Sequence, residues 1–234
     1  MQAVILAGGL GTRLTPYTLF LPKPMLPLAD KPLLQHLIEW LKRNDVTELT
    51  ICVSYLRKAI EGYFENGKEL GVSINYARSN KPLGTAGQLK SAESFLKGKC
   101  VCLYGDSIVD FKLKDSIKFH EKKKALATMV LMEYKTNLRY GFIDLDGEGR
   151  VRTWREKPEV KGMINVGCYV MERRFLKYIP KDKMYGMDIA FRDAIGAGEK
   201  IYGYPAKGTF IDIGDKRSYA SAYQKYLSEL GKIL

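Results

Sequence analysis

The chain begins with an apolar run that ends in clustered glycines and an arginine. Residues 3–7 are apolar, residues 8–11 read Gly-Gly-Leu-Gly, and Arg13 follows closely. Glycines let the backbone approach an anion, successive amide N–H groups form an anion-binding concavity, and a guanidinium matches phosphate oxygens. With Lys23 in the same segment, the pattern predicts a phosphate-binding loop.

Two familiar glycine motifs do not fit this loop. A Walker loop needs Lys-Ser/Thr directly after its last glycine, where this chain has Thr12 and Arg13. A dinucleotide fingerprint needs a third small residue, where this chain has Leu14. A tight turn without a ligand is the alternative, but such a turn has no use for clustered cations.

The length and composition favour one domain of moderate size. The chain has 234 residues and a net charge of +12, and its basic residues are scattered. No leader precedes the first apolar run, and no run approaches the roughly 20 apolar residues of a membrane helix. We therefore expect a soluble, cytoplasmic protein that binds neither membranes nor nucleic acid. The cysteines lie in apolar runs and are expected to be buried free thiols: Cys52, Cys100, Cys102 and Cys168.

Strands and helices alternate in the first half of the chain, which predicts a parallel, doubly wound sheet. Besides the first run, strands are expected at 49–53, 72–77 and 100–104, and helices at 32–43, 56–64, 83–96 and 113–124. Asp30 is expected to cap the first helix, and His36 and His120 are assigned no chemistry. Ligands bind such sheets at the carboxyl ends of the strands.

From residue 126 onward, strands follow one another. They are expected at 126–132, 141–145, 151–155, 164–171 and 201–204, with an apolar run at 209–214 and helices at 188–195 and 216–230. Asp144 and Asp146 match the Asp-x-Asp motif of metal-dependent glycosyltransferases. Because Gly147 follows directly, a hairpin turn is the favoured interpretation.

Short motifs recur in a fixed order along nearly the whole chain. They lie at residues 8–14, 22–27, 83–87, 105–106, 140–141, 156–158, 165–169 and 212–214. In order and approximate spacing they resemble the signature of sugar-1-phosphate nucleotidylyltransferases, also called NDP-sugar pyrophosphorylases. The resemblance implies an α/β, Rossmann-like, doubly wound three-layer sandwich with a mixed, mostly parallel central sheet. It implies a single domain over residues 1–234, with a nucleotide-binding half (1–125) and a sugar-phosphate-binding half (126–234).

The implied activity is Mg²⁺-dependent nucleotidyl transfer from a nucleoside triphosphate to a sugar 1-phosphate, with release of pyrophosphate. The implied catalytic residues are Arg13, Lys23, Asp106 and Asp212, the last two as metal ligands. The nucleotide would contact Leu6, Ala7, Gly8, Gly9, Gly11, Thr12, Arg13, Gly84, Thr85 and Ala86. The sugar phosphate would contact Gly141, Glu156, Lys157, Asn165 and Gly167. A homo-oligomer and the absence of the C-terminal β-helix of longer relatives are also compatible with the family.

Asp106 and Asp212 each lie at the end of an expected strand, the first directly after Gly105 and the second two residues before Gly214. Mg²⁺ needs only one or two protein carboxylates when substrate phosphates complete its coordination, and a solvated turn residue is the alternative for Asp106. Two adjacent carboxylates repel each other without a cation. The sequence thus predicts that an Asp→Asn change at either position leaves the melting temperature unchanged or raises it.

Two departures from family patterns bear on the substrate and on the last motif. Uridylyl- and thymidylyl-transferring relatives tend to carry a glutamine upstream of the segment 83–87, where this chain has Ser79. The segment looks more like that of guanylyltransferases for mannose or heptose 1-phosphates, so GTP is the favoured nucleotide. Asp215 replaces the usual threonine after the glycine of the last motif, which leaves the local hydrogen bonding open.

Two other functions are compatible with the sequence. One is a non-catalytic regulatory subunit of the same fold that binds nucleotide sugars, and the other is a glycosyltransferase that uses Asp144 and Asp146. The four implied catalytic residues are all present, and so is Lys157. Their joint presence argues for a nucleotidyltransferase.

Overall fold

The chain folds as alternating strands and helices, and the computed structural model describes residues 1–230. Residues 231–234 of the predicted domain lie outside the described part. The strands are β1 (Gln2–Leu6), β2 (Pro27–Leu28), β3 (Lys31–Pro32), β4 (Glu48–Val53), β5 (Ser73–Arg78), β6 (Cys100–Tyr104), β7 (Ser107–Phe111), β8 (Ala127–Asn137), β9 (Phe142–Leu145), β10 (Val151–Arg155), β11 (Glu159–Met171), β12 (Ile201–Pro205) and β13 (Gly208–Asp212). The α-helices are α1 (Leu33–Arg43), α2 (Arg57–Phe64), α3 (Gly84–Ser91), α4 (Leu113–Lys123), α5 (Met187–Gly196) and α6 (Lys216–Leu230).

The central sheet has seven strands in the order β12-β8-β11-β6-β1-β4-β5. β1 pairs in parallel with both β4 and β6, whereas β11 runs antiparallel to its neighbours β6 and β8. The inner strands are continuous apolar runs because helices cover both faces of the sheet. The fold is therefore α/β with a mixed, mostly parallel central sheet, as expected.

Alternate side chains of β1 enter two cores on opposite faces of the sheet. Ala3 and Ile5 pack in a core with Trp40 of α1, and Val4 and Leu6 pack in a core that includes residues of α3 and α5. Helices on both faces make the three layers of a doubly wound sandwich.

The structure differs from the predicted elements in several places, and β8 extends to Asn137, five residues beyond its expected end. The helix expected to reach residue 96 ends at Ser91 and is followed by a 3₁₀ turn, Glu93–Phe95. β11 begins at Glu159, five residues before its expected start at residue 164. Asp30 does not cap α1, because Pro32 occupies the N-cap position without a side-chain hydrogen bond. The strand β7 has no counterpart in the sequence prediction.

The β9–β10 hairpin forms a separate two-stranded sheet whose residues are all exposed. The Asp146 carboxylate accepts hydrogen bonds from the backbone N–H groups of Glu148 and Arg150, each 2.9 Å long. Asp144 accepts hydrogen bonds from the side chains of Thr153 and Arg155. Both carboxylates therefore have partners within the hairpin, in agreement with the turn interpretation.

Asp215, the departure from the last family motif, lies directly before α6. Its Oδ1 accepts the backbone N–H of Ser218 at 2.8 Å, and its own N–H donates to the Ser218 hydroxyl at 3.0 Å. These reciprocal bonds form a helix cap, and the bonds from Ser218 lower the pKa of the Asp215 carboxyl. Asp215 thus stabilises the first turn of α6.

The four cysteines are buried, and their thiols are free. Burial raises the pKa of Cys52 and of Cys100 to about 12. Such thiols stay protonated and behave as small apolar side chains. Separately, none of the helices within residues 1–230 is long and apolar enough to cross a membrane.

Candidate active site

A cleft of about 490 Å³ opens where β1 and β6 end. Its walls come from the glycine loop after β1, the first turns of α3, the end of β6, the middle of β11 and the end of β13. Twelve of the predicted site residues line it: Leu6, Ala7, Gly9, Gly11, Thr12, Arg13, Lys23, Thr85, Asp106, Asn165, Gly167 and Asp212. Segments that are distant in sequence thus meet at the carboxyl edge of the sheet.

Lys23 and Asp106 form an ion pair inside the cleft. A 3₁₀ turn, Lys23–Met25, holds the lysine, and Asp106 follows β6. Lys23 Nζ lies 2.5 Å from Asp106 Oδ2, and the two side chains are 8% and 35% exposed. The lysine is therefore nearly withdrawn from solvent, whereas the carboxylate still faces the cleft.

Asp212 reaches the same end of the cleft through a two-stranded ribbon. β13 pairs antiparallel with β7, and Asp212 lies opposite Ser107, the residue after Asp106. Directly opposite residues in antiparallel strands have Cα atoms about 4.5–5.5 Å apart. The pairing therefore brings the two predicted metal ligands to neighbouring positions.

Arg13 lies on the Asp212 side of the cleft. A β-carbon at Gly214 would be 2.9 Å from Asp212 Oδ2 and 3.5 Å from Arg13 Nη1. Both side chains therefore lie beside Gly214, and a larger residue there would crowd the Asp212 carboxylate. The cleft thus contains two cations and two carboxylates from four separate segments.

The two carboxylates suit Mg²⁺, which prefers hard oxygen ligands. Within residues 1–230 there is no group of three or more His, Cys, Asp or Glu side chains that could hold a metal ion. Mg²⁺ commonly binds through one or two carboxylates and takes its other ligands from water and substrate phosphates. Asp106 and Asp212 therefore fit a magnesium ion that is shared with a phosphorylated substrate.

A chain of hydrogen bonds supports Asn165 in the part of the cleft wall that β11 forms. Asn165 Nδ2 donates to Tyr169 Oη at 2.7 Å, and Tyr169 Oη donates to Tyr104 Oη at 3.2 Å. Asn165 Oδ1 accepts the backbone N–H of Gly167 at 3.0 Å. Burial raises the pKa of Tyr104 and of Tyr169, so both phenols are neutral and act as hydrogen-bonding groups.

Gly84 and Ala86, two of the expected nucleotide contacts, are not among the residues that line the cleft. Gly84 has φ +67°, and a β-carbon there would lie 2.5 Å from the carbonyl oxygen of Tyr185. Ala86 is fully buried, and its N–H donates to the same oxygen at 3.0 Å. The small residues thus allow α3 to pack against the chain near Tyr185, and Thr85 alone of the three predicted contacts lines the cleft.

Gly8 has a different role from the other loop glycines. Its N–H donates to Gln88 Oε1 at 2.8 Å, and Gly8 is absent from the cleft lining. The first amide of the loop is therefore bonded to the protein. Gln88 and Tyr104 line the cleft but were missed by the sequence analysis. The available signal was their position, one residue after the glycine-rich segment and one residue before Gly105.

Three predicted sugar-phosphate contacts lie outside the cleft lining, in or beside the exposed hairpin. Gly141 and Glu156 are close together, since a β-carbon at Gly141 would lie 2.9 Å from Glu156 Oε2. The Trp154 indole N–H donates to Glu156 Oε2 at 3.2 Å. Lys157 is exposed and has φ +43°. The structure thus groups these residues but separates them from Asn165 and Gly167.

A cleft at the carboxyl ends of parallel strands, lined by cations and carboxylates, is typical of α/β proteins that bind phosphorylated ligands. A family model described as nucleotidyl transferase matches residues 2–229. The chain therefore belongs to the nucleotidyl transferase family, as the motifs indicated.

Named relatives and a solved structure are similar over much of the chain. A UTP–glucose-1-phosphate uridylyltransferase of Synechocystis is 34% identical over 97% of this chain, which spans only 64% of that protein's length. A D-glycero-alpha-D-manno-heptose 1-phosphate guanylyltransferase of Campylobacter jejuni is 38% identical over 74% of this chain and 76% of its own. The crystal structure of HddC from Yersinia pseudotuberculosis complexed with GMP-PN has a TM-score of 0.77, with 28% identity, over 96% of this chain and 99% of its own.

Proposed function

We propose that this protein is a Mg²⁺-dependent sugar-1-phosphate nucleotidylyltransferase, which makes a nucleoside-diphosphate sugar and pyrophosphate. The observation that carries the proposal is the meeting of Arg13, Lys23, Asp106 and Asp212 in one cleft. An oxygen of the sugar phosphate attacks the α-phosphorus of the triphosphate, the bond to the β-phosphate breaks, and pyrophosphate leaves. The nucleophile is already an anion, so the reaction needs no general base.

Catalysis then depends on holding two mutually repelling phosphates in line and neutralising their charge. Arg13 would bind the β- and γ-phosphates and stabilise the leaving pyrophosphate. Lys23 would face the reacting α-phosphate from its place beside Asp106. Bound Mg²⁺, held by Asp106 and Asp212, would supply further charge neutralisation.

The sugar phosphate is assigned to the half of the chain from residue 126 onward, and the nucleotide to residues 1–125. Asn165 and Gly167 lie at the cleft, where they can contact a sugar. Lys157 and Glu156 lie outside the lining, so their proposed contacts require the β9–β10 hairpin to approach the cleft. A lysine on the hairpin would then bring a compact positive charge to the sugar phosphate.

Guanylyl transfer to a mannose-type or heptose 1-phosphate is the favoured version of this reaction. Its support is the segment 82–87 and the name of the Campylobacter jejuni relative. The Synechocystis relative is named for uridylyl transfer to glucose 1-phosphate. UTP and glucose 1-phosphate are therefore among the substrates to be tested. The glycosyltransferase alternative is disfavoured because Asp144 and Asp146 bond within the hairpin. A cytoplasmic location and a homo-oligomer stay predictions.

The test measures pyrophosphate released from each of four nucleoside triphosphates, mixed with Mg²⁺ and one sugar 1-phosphate. The sugars are glucose, mannose, galactose, N-acetylglucosamine and heptose 1-phosphates. Release that requires both substrates supports the proposal, and the best pair identifies base and sugar. Nucleotide-sugar binding without pyrophosphate release would instead indicate a regulatory subunit, and sugar transfer from a preformed nucleotide sugar would indicate a glycosyltransferase.

A further inference from the structure

Gln88 connects α3 to the glycine loop at the edge of the cleft. Its Oε1 accepts the Gly8 N–H at 2.8 Å, and its carboxamide carbon would lie 3.2 Å from a β-carbon at Gly8. Its backbone carbonyl accepts the Cys52 thiol at 3.1 Å and the Ser91 hydroxyl at 2.7 Å. The residue is therefore held by β4, by its own helix and by the loop.

These bonds determine which way the side-chain amide faces. A backbone N–H can only donate, so the oxygen of the Gln88 amide must be the atom beside Gly8. The Nε2 group then lies on the other side, where it donates to no acceptor within the part of the chain that the structure describes. Gln88 lines the cleft, so its Nε2 group offers a ligand two N–H donors, whereas one of the two lone pairs of Oε1 is already used by Gly8.

The position of Gln88 indicates that it lies near the base of a bound nucleotide rather than near its phosphates. In the central sheet, β1 lies between β6 and β4. Asp106, with its partner Lys23, lies on the β6 side. Gln88 lies on the β4 side, because the same β-carbon at Gly8 would be 3.3 Å from Ser54, the residue after β4. Phosphates favour the charged side, which leaves the base for the side of Gln88.

We infer that Gln88 selects nucleotides whose base presents a keto oxygen, through hydrogen bonds donated by its locked side-chain amide. Guanine and uracil carry a keto oxygen where adenine and cytosine carry an amino group, which is a donor. If an amino group of the base lay opposite the Gln88 Nε2 group, two donors would face each other and neither would be hydrogen-bonded. A nucleotide with such a base therefore binds more weakly. This inference rests on the proposed function, because it assumes that the cleft binds a nucleoside triphosphate.

The experiment measures nucleotide affinity by isothermal titration calorimetry, with Mg²⁺ and without sugar 1-phosphate. The nucleotides are GTP, UTP, ATP and CTP, with ITP and 2-aminopurine riboside triphosphate to separate the keto oxygen of guanine from its amino group. The variants are Gln88→Met, which removes the donors at nearly constant shape, and Gln88→Glu, which keeps an acceptor for Gly8. Gln224→Met, on the exposed surface of α6, is the matched control.

The wild-type protein should bind GTP, UTP or both more tightly than ATP and CTP, and should bind ITP about as well as GTP. In Gln88→Met the affinity for the preferred keto nucleotides should fall about tenfold, with little change for ATP, CTP and the 2-aminopurine nucleotide. Gln88→Glu adds a negative charge that weakens all triphosphates, so the ratio of keto to amino affinity is its readout. That ratio should fall below the wild-type ratio.

Two results with the wild-type protein would overturn the inference: no preference for keto nucleotides, or no nucleotide binding. Two results with Gln88→Met would also overturn it: equal losses for all nucleotides, or unchanged affinities. Equal losses would show that the amide acts on the ribose, the phosphates or the loop. Failure of the proposed function is a separate result. It would be the absence of pyrophosphate release from a protein that still binds nucleotides with the expected preference.

Discussion

Lys23 Nζ lies 2.5 Å from Asp106 Oδ2, so the cation assigned to the reacting phosphate is paired with a carboxylate assigned to the metal. The lysine is nearly buried, and a buried charge without a partner is costly. Asp106 therefore has two roles, because it stabilises Lys23 in the free protein and offers an oxygen to the cleft. Asp212 has no ion pair among the described side chains, so the two carboxylates are not equivalent.

The first prediction concerns stability. Asp106→Asn should lower the free energy of unfolding by roughly 1 kcal/mol, because the asparagine oxygen can still accept from Lys23 but no longer neutralises it. For a chain of this size that loss corresponds to a melting temperature about 2–4 °C lower. Asp212→Asn is the matched control and should melt at the wild-type temperature or above it. Differential scanning calorimetry without ligands measures both.

This prediction replaces the expectation from sequence that an Asp→Asn change at either position leaves the melting temperature unchanged or raises it. An unchanged or raised melting temperature in Asp106→Asn would show that the pair with Lys23 contributes no stability. A drop of the same size in Asp212→Asn would show that the asymmetry between the carboxylates is absent.

The second prediction concerns the two carboxylates in turnover. Either Asp→Asn change should reduce turnover on the order of 10³-fold, because each removes one side of a shared metal site. The double variant should be hardly slower than either single variant, since groups that act as a unit are not additive. Steady-state pyrophosphate release at saturating substrates measures all three. Multiplied losses in the double variant would indicate two independent sites.

The third prediction concerns Arg13. Arg13→Ala should fold normally, because the side chain is exposed and exposed charges contribute little to stability. Turnover should fall about 10²-fold or more, on the scale of losing one preorganised charge stabiliser. Arg192→Ala, an exposed arginine of α5, is the control and should be fully active. Wild-type turnover of Arg13→Ala at saturating substrates would remove Arg13 from the site.

The fourth prediction concerns the hairpin lysine. Lys157→Ala should raise KM for the sugar 1-phosphate more than KM for the triphosphate, because the glycine loop still holds the triphosphate. Lys161→Ala is the control, since Lys161 is exposed and pairs with Glu159 on β11. Separate titrations of the two substrates measure the effect. Equal changes for both substrates would contradict the division of the site into two halves.

The fifth prediction concerns acid stability. His120 is buried, with Nδ1 2.9 Å from Thr128 Oγ1 and Nε2 3.3 Å from Glu172 Oε1. Burial lowers the pKa of His120, and the bond to Glu172 opposes that shift only in part. A lowered folded pKa means that the unfolded chain, with a histidine pKa of about 6.5, takes up the proton first. The stabilising contribution of neutral His120 is therefore present above about pH 6.5 and is lost as pH falls through the folded pKa.

Urea unfolding at several pH values between 7.5 and 5 measures the slope of the unfolding free energy against pH. His120→Gln should reduce the slope, and His36→Gln should reduce it further, because burial also lowers the pKa of His36. Both glutamines can keep a hydrogen bond, including the bond of His36 Nε2 to the Leu28 carbonyl. A steeper slope in His120→Gln, or stability that rises on acidification, would contradict the neutral buried state.

Continuous apolar runs made the core of the sheet predictable. β1, β4 and β6 are buried on both faces, and a strand in that position must be apolar throughout. The glycine loop and Arg13 were predictable for a related reason, since few structural needs place bare backbone and a cation together. Local sequence is sufficient for such elements because their environment constrains every residue.

Neither the strand β7 nor the reason for a glycine at residue 84 could be predicted from the neighbouring sequence. β7 exists because it pairs with β13, about one hundred residues later, and that pairing brings Asp212 next to Asp106. Gly84 is small because Tyr185 lies against it, a contact between distant segments. The same holds for Gln88, whose amide orientation depends on the N–H of Gly8.

The sequence by itself determined the α/β class, the glycine loop with its arginine and the family, because these depend on residue types in a local order. Tertiary structure alone decided which candidates share the cleft, that Lys23 pairs with Asp106, and that the amide oxygen of Gln88 lies beside the Gly8 N–H. It also separated Lys157 and Glu156 from the cleft. These facts depend on distances between side chains from distant segments, and a linear pattern does not encode such distances.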